Sequence, residues 1–244
     1  MKLIKFPRSN VETKGCEKAP GIIEEHLLDF MRRKNLFFEI EEIRDDNSVK
    51  GLFSEKEFLI CLGGDHSITY DLFKNFKKQN PGMLIFDSHV DAQLEEKSQK
   101  KEHENYLKRL IREGHVESKN IVIVGLRNLE NDELSFLHVN RIKYFDMRRL
   151  HDDSEAFDSV MEQVREFGAL YISIDIDVVD PAFAPGTNKI EPGGFTSREF
   201  LHLISRLRNL RNIKAVDIVE VNPERDINNM TSRLAANVVY EFLQ

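Results

Sequence analysis

The sequence predicts an α/β protein: a single three-layer α/β/α domain over residues 1–244, with a mainly parallel sheet of about eight strands. Three observations predict it. Short β-rich runs alternate with amphipathic stretches along the whole chain, the pattern of strands joined by right-handed crossovers. With 41% hydrophobic residues, the chain can bury a sheet on both faces. Side chains suited to metal binding stand at the exits of the apolar runs, where open α/β sheets bind their ligands.

In chain order, a strand is expected over residues 2–6 and a helix over 19–34. Pro20 falls in the first turn of that helix, where a missing N–H costs nothing. A strand over 36–41 follows, then one over 58–62, Phe58-Leu59-Ile60-Cys61-Leu62, apolar throughout and read as buried. A helix over 68–78 leads to the strand Met83-Leu84-Ile85-Phe86. Helix 104–113, strand 121–124, helix 132–139, strand 142–145 and helix 154–167 continue the alternation. The strand over 170–174 runs into a long loop, 178–194, rich in Pro and Gly; long structured loops at strand ends are frequently functional. Thr196 or Ser197, followed by Glu199, starts a helix over 197–207. A strand over 215–219 and a helix over 230–243 complete the order. No internal repeat, low-complexity tract or linker interrupts it, and Gln99-Lys100-Lys101-Glu102-His103-Glu104 reads as a solvated charged stretch.

The net charge of −7 argues against a general nucleic-acid or anionic-membrane surface and mildly favours cationic small substrates. Cys16 and Cys61 are the only cysteines, too few for a disulfide framework, so both read as reduced thiols of a cytoplasmic protein. The first seven residues are too poor in apolar side chains for a signal peptide, and no run approaches a membrane span.

The chemistry concentrates in three segments. Asp87-Ser88-His89-Val90-Asp91 directly follows the apolar run 83–86. In an extended segment, residues two apart share a face, so two carboxylates and an imidazole are expected to converge. Ile174-Asp175-Ile176-Asp177 repeats the arrangement, and Gly63-Gly64-Asp65-His66-Ser67 adds a second histidine. One Asp at a strand end is more often a helix cap or turn residue than a ligand. Three segments that agree in residue type and location point instead to a centre with more than one ion. Four carboxylates in one pocket disfavour each other's ionisation, and two divalent cations would neutralise them. Carboxylate and imidazole without thiolate suit a hard ion such as manganese. Two ions about 3.5–4 Å apart suit hydrolysis by a shared water.

These motifs, with Gly15-Cys16-Glu17-Lys18-Ala19-Pro20, Ala184-Pro185-Gly186, Pro192-Gly193-Gly194 and Glu220-Val221-Asn222-Pro223, resemble the arginase–agmatinase (ureohydrolase) family. Its members hydrolyse guanidino groups at a binuclear manganese centre. The resemblance runs from Gly15 to Thr231. It implies His66 and Asp91 on one ion, His89 and Asp177 on the other, and Asp87 and Asp175 bridging the two. It further implies that Glu220 holds the guanidinium, that His103 passes a proton to the leaving amine, and that Glu130 lies near the substrate's amino group. Gln93 stands where arginases carry an Asn that contacts the substrate carboxylate. Lys189 sits in a loop that replaces a common Thr-Gly-Thr-Pro pattern, and brings a cation toward the substrate channel. Glu104 follows His103 where the family usually has Gly. The resemblance also implies a trimer or hexamer.

The residue chemistry agrees. A guanidinium is resonance-stabilised and a poor electrophile, so its hydrolysis needs a strong nucleophile at neutral pH, which a water shared between two cations supplies. The reaction expected is hydrolysis of a guanidino compound to urea and an amine, with arginine first, then agmatine or a guanidino acid. A metal-dependent deacetylase-like amide hydrolase is the second class; the full ligand set disfavours it, because a one-metal site does not need it. A non-catalytic metal-binding member is the third, supported by the altered surroundings of His103.

Overall fold

A computed structural model of the protein describes residues 1–34, 40–53, 57–92, 104–127 and 129–244. Its strands are β1 (Lys2–Phe6), β2 (Ile40–Glu42), β3 (Leu59–Gly63), β4 (Pro81–Phe86), β5 (Ile121–Leu126), β6 (Lys143–Asp146), β7 (Ala169–Asp175) and β8 (Ile213–Val219). They form one sheet in the order β2-β1-β3-β8-β7-β4-β5-β6, and every neighbouring pair is parallel. The helices are α1 (Ala19–Arg33), α2 (Asp46–Val49), α3 (Ser67–Asn75), α4 (Tyr106–Arg112), α5 (Asn131–Asn140), α6 (Met147–Asp152), α7 (Ala156–Arg165), α8 (Ser197–Leu207) and α9 (Met230–Leu243).

The central strands are apolar on both faces, as parallel strands covered by crossovers must be. Alternate residues feed two cores. Ile60, Leu62, Leu84 and Phe86 pack with α1, α7, α8 and α9 through Ile23, Val160, Ile204 and Val238. Leu59, Cys61, Met83 and Ile85 pack on the other side with α3 and α4 through Leu72, Phe73, Leu107 and Leu110. Each such aliphatic side chain stabilises the fold by roughly 1.5–3 kcal/mol when fully buried. The three layers follow from this two-sided alternation.

Most predicted elements lie within a few residues of the observed ones. The strand expected over 36–41 falls partly on residues 35–39, outside the described residues, and β2 begins at Ile40. The helix expected over 68–78 ends at Asn75, because Phe76 leaves helical geometry and packs against Phe73 and Tyr171. Helices α2 and α6 are additions. Each is shorter than two turns, so no 3.6-residue period develops, and each is held by an Asp cap: Asp45 accepts from Ser48 N and Asp146 from Arg149 N. At α8, where a helix start at Thr196 or Ser197 is expected, Thr196 and Glu199 form a reciprocal capping box, with Thr196 Oγ1 accepting from Glu199 N at 3.2 Å and Glu199 Oε2 from Thr196 N at 2.8 Å. Cys16 and Cys61 are buried and unbridged. Among the described residues, no helix is long and apolar enough to cross a membrane.

Candidate metal centre

Four adjacent strands of the sheet, β3, β8, β7 and β4, deliver the site from their carboxyl ends. His66 follows β3, Glu220 follows β8, Asp175 ends β7, and Asp87 follows β4. In register, Phe86 pairs with Ile174 and Asp175 with Val219, so Asp87, Asp175 and Glu220 leave the sheet at about one level. This is the crevice that parallel α/β sheets offer to ligands.

The local geometry differs from the strand alternation expected at Asp87–Asp91. Strand β4 stops at Phe86, and the segment beyond it is irregular. Asp87 Oδ1 accepts from His89 N at 2.7 Å, which turns the chain, and Asp91 adopts a left-handed φ of 51°. Similarly, Asp175 Oδ1 accepts from Asp177 N at 2.8 Å and starts a single 3₁₀ turn. Asx-type turns, rather than pleat periodicity, bring these side chains together. Glu220 is also left-handed, φ 62°, with its N–H on Gly64 O at 2.8 Å. A non-glycine residue held there costs on the order of 1–3 kcal/mol and persists only where its surroundings enforce it. Gly64 also lets the Arg8 backbone approach closely: a Cβ at that position would lie 1.9 Å from Arg8 O.

The ligand-grade atoms form two groups that share Asp87: His66, Asp87 and Asp175, and Asp87, His89 and Asp177, each within 4.8 Å. His66 Nδ1 lies 3.1 Å from Asp91 Oδ2, 3.3 Å from Asp87 Oδ2 and 3.5 Å from Asp175 Oδ2. His89 Nδ1 lies 3.0 Å from Asp177 Oδ2. His66 Nδ1 and Asp87 Oδ2 are nonetheless buried without a hydrogen-bond partner of normal geometry. Buried polar atoms without partners are costly, and a cation between them would satisfy both. The set of imidazole and carboxylate donors fits such a cation.

Without a cation, the cluster must hold protons. Burial raises Asp175 well above the usual carboxylate range, and the charges of Asp177 and Asp87 add to it. Burial would lower His89, but its hydrogen bonds to Asp177 and Asp87 and their charges outweigh this and raise it to about 11. Burial would raise Asp177, but the hydrogen bond and charge of His89, followed by Ser88, take it down to about 2. His66 is also raised: burial opposes the shift, and Tyr106, Asp175, Asp87 and Asp91 overcome it. Tyr106 stacks on the His66 ring at 4.3 Å between centroids.

Above this cluster lies a cavity of about 210 Å³, walled by Glu12, Thr13, Glu104, Thr187, Asn188, Lys189 and Glu220 together with His89, Asp91, Asp175 and Asp177 of the cluster. Glu220 Oε1 accepts from His66 N at 2.8 Å, while among the described residues Oε2 receives only a long contact from Cys16 Sγ at 3.9 Å. Burial, and then the charge of Asp65, raise Glu220 to about 8. Lys189 lines the cavity and pairs with Glu104 at 3.0 Å.

Of the other residues singled out from sequence, Glu130 is exposed at the start of α5, where its N–H donates to Glu133 Oε2 at 3.0 Å, and it is not part of the cavity wall. His103 and Gln93 lie outside the described residues.

Several supporting residues escaped sequence reasoning. Asp65 binds Asn10 N and Thr13 Oγ1 with one oxygen and Ser67 with the other, tying the 10–13 loop to the cavity floor. Arg127 donates to the carbonyls of Asp177 and Glu191, pinning both ends of the loop beyond β7. Half-buried Glu133 senses the charges of His89 and Asp91, and burial raises it. A polar residue inside an apolar strand run was the available signal for Asp217 and Ser173.

A parallel sheet whose central strands end in shared carboxylates and imidazoles defines a class of α/β proteins with a candidate metal centre at the sheet's carboxyl edge. The chain belongs to the arginase family: the family model matches residues 12–244. Homologues in that family are ureohydrolases that act on amidino groups. The chain is 35% identical over 190 residues to the mitochondrial guanidino acid hydrolase of Homo sapiens, covering 75% of this chain and 53% of that protein. It is 31% identical over 221 residues to mitochondrial arginase 1 of Oryza sativa subsp. indica, covering 83% of this chain and 63% of that one. The chain thus spans between half and two-thirds of these relatives' lengths. The crystal structure of arginase from Bacillus subtilis superposes with a TM-score of 0.87 at 24% identity, covering 99% of this chain and 97% of that one, which shows the shared fold.

Proposed function

We propose that the protein is a binuclear, manganese-dependent hydrolase that cleaves a guanidino compound to urea and an amine. The observation that carries this reading is Asp87 shared by two donor groups, each with its own histidine, beneath a buried carboxylate, Glu220. His66 and Asp91 would hold one ion, His89 and Asp177 the other, with Asp87 and Asp175 between them. Manganese suits a set of carboxylates and imidazoles without thiolate. Bound there, the ions would supply charge neutralisation and a water activated for attack at neutral pH.

The chain's own residues have distinct tasks. Glu220, with Oε1 committed to the His66 N–H, turns Oε2 to the guanidinium and fixes its plane by charge-assisted hydrogen bonds. Held this way, the guanidino carbon faces the cluster. The leaving amine needs a proton, a task suited to an imidazole, and we assign it to His103. Lys189, aimed by Glu104, favours a substrate tail that carries a carboxylate, a feature arginine and guanidino acids share and agmatine lacks. Arginine is the first substrate of choice and a guanidino acid the second. The same reading carries a cytoplasmic homo-oligomer, a trimer or hexamer.

The test is direct. The protein is reconstituted with manganese, bound metal is counted, and urea release is assayed from arginine, guanidinobutyrate and agmatine. Two ions per chain with urea from at least one substrate is the expected result. Two ions and no urea from any of them would exclude the hydrolase reading.

A further inference from the structure

We propose that Asp217, acting through Ser173, is a positioning residue that dictates which ring nitrogen of His66 is left to bind metal. The inference rests on the metal centre proposed above. Asp217 lies in the middle of β8, fully buried, in the run Ala215-Val216-Asp217-Ile218-Val219. A carboxylate in an apolar strand has no packing advantage and is expensive to bury, so its partners explain its presence.

Those partners are three hydroxyls. Tyr171 OH donates to Oδ2 at 2.5 Å, Thr69 Oγ1 to Oδ2 at 2.9 Å, and Ser173 Oγ to Oδ1 at 2.7 Å. A carboxylate only accepts, and a serine hydroxyl has one proton to give. With that proton on Asp217, Ser173 Oγ meets His66 Nε2, 3.0 Å away, as an acceptor. Nε2 therefore carries the ring proton. On a neutral ring Nδ1 is then the nitrogen left to offer a lone pair to a cation, toward Asp87, Asp91 and Asp175, where it is buried without a hydrogen-bond partner. The stacked Tyr106 ring fixes the plane of the imidazole, and the Asp217–Ser173 pair fixes its protonation pattern. Orientation of a ligating histidine by a hydrogen bond to its other nitrogen is a general device of metal sites; here a hydroxyl relays it.

The arrangement of the three hydroxyls makes the inference testable. Two of them meet Oδ2 and one meets Oδ1. In Asp217→Asn the amide oxygen therefore takes the Oδ2 position, and the NH₂ faces Ser173. Ser173 then turns its proton to His66 Nε2, which moves the ring proton to Nδ1 and blocks it. Ser173→Ala removes the relay without reversing it. Tyr171→Phe removes a hydrogen bond from the other oxygen of the same carboxylate and leaves the Asp217–Ser173–His66 contacts in place.

The 244-residue chain, stripped with chelator, is titrated with manganese for all four proteins, and each melting temperature is recorded. The wild type is expected to bind two ions. Ser173→Ala should weaken one of the two by about 10–100-fold, Asp217→Asn by at least as much, and Tyr171→Phe by less than about threefold despite lost thermal stability. Unchanged affinity in Ser173→Ala overturns the proposal, as does an equal loss in Tyr171→Phe, which would mark Asp217 as a support of the sheet only. Should Asp217→Asn fail to fold, the comparison of Ser173→Ala with Tyr171→Phe decides alone. A wild type that binds no manganese overturns the metal centre itself and this inference with it, and so is distinguished from a relay that fails in a metal-binding protein.

Discussion

Lys189 Nζ lies 3.0 Å from Glu104 Oε1, and the carboxylate is 4% exposed while the lysine is 39% exposed. Burial would lower Lys189, but Asp91, Glu104 and Asp87 raise it above its ordinary value, so it stays charged at every working pH. Among the described residues one ammonium donor is committed to Glu104, which leaves two for a ligand at the cavity wall. Hydrogen bonds to a charged partner contribute about 1.5–3 kcal/mol. Lys189→Met should therefore lower kcat/KM for arginine or guanidinobutyrate by about 10–100-fold and for agmatine by only a few-fold. Comparable wild-type activity on agmatine and arginine would count against this role.

Glu220→Gln keeps an acceptor for the His66 N–H and removes the charge that would hold the guanidinium. We expect kcat/KM to fall by about 10²–10³, with metal content unchanged. Only the ionised carboxylate serves this role. Because burial and Asp65 raise Glu220 to about 8 when no cation is near, acid favours its inert form. The apparent affinity for a guanidinium should rise with pH, with a midpoint at or below that value, since bound cations favour ionisation. A pH–KM profile that is flat from 4 to 9 would remove Glu220 from this role.

The succession of elements was legible because central parallel strands read as largely apolar runs, as Leu59–Gly63 and Ile121–Leu126 do. The metal-grade residues were legible as a set, since carboxylates and histidines cluster at the ends of those runs. The local reason was not: Asp87 and Asp175 each fold their own segment through an Asx-type turn, a conformation that residue spacing does not encode. The Lys189–Glu104 pair joins residues 85 positions apart, and no periodicity relates two loops so distant. Asp217 was hidden in the opposite sense, inside a strand whose apolar neighbours masked a buried polar network.

Removing metal should destabilise the fold. Two ions held by the native cluster and not by the unfolded chain stabilise the protein by mass action, about 4 kcal/mol per site at a thousandfold excess over Kd. Chelation should lower the melting temperature by several degrees, and added manganese should restore it. The neighbouring carboxylates raise both His66 and His89 against the effect of burial, His89 to about 11, so metal competes with protons for the imidazoles. Affinity should accordingly rise with pH and proton release should accompany binding. Calorimetry in two buffers of different ionisation enthalpy reads that release, and its absence would exclude imidazole ligation.

Asp71 offers a stability test away from the cavity. Arg8 Nη1 approaches its carboxylate at 2.6 Å and Lys74 binds its other oxygen. Burial would raise Asp71, but the Lys74 hydrogen bond and then the Arg8 charge and hydrogen bond outweigh it and hold the carboxyl below its ordinary value. A folded pKa depressed in this way contributes stability that is fully present above the unfolded pKa, about 3.9, and is lost as pH falls through the folded pKa. Both cations are partly exposed, which screens the pair and limits its worth. Asp71→Asn should therefore cost about 1–2 kcal/mol at pH 7, measured by urea unfolding. The gap between the two proteins should narrow once pH drops below about 4, because protonation then removes from the wild type the charge that the variant already lacks. A gap of the same size at pH 3 would trace the loss to packing or hydrogen-bond geometry instead of charge.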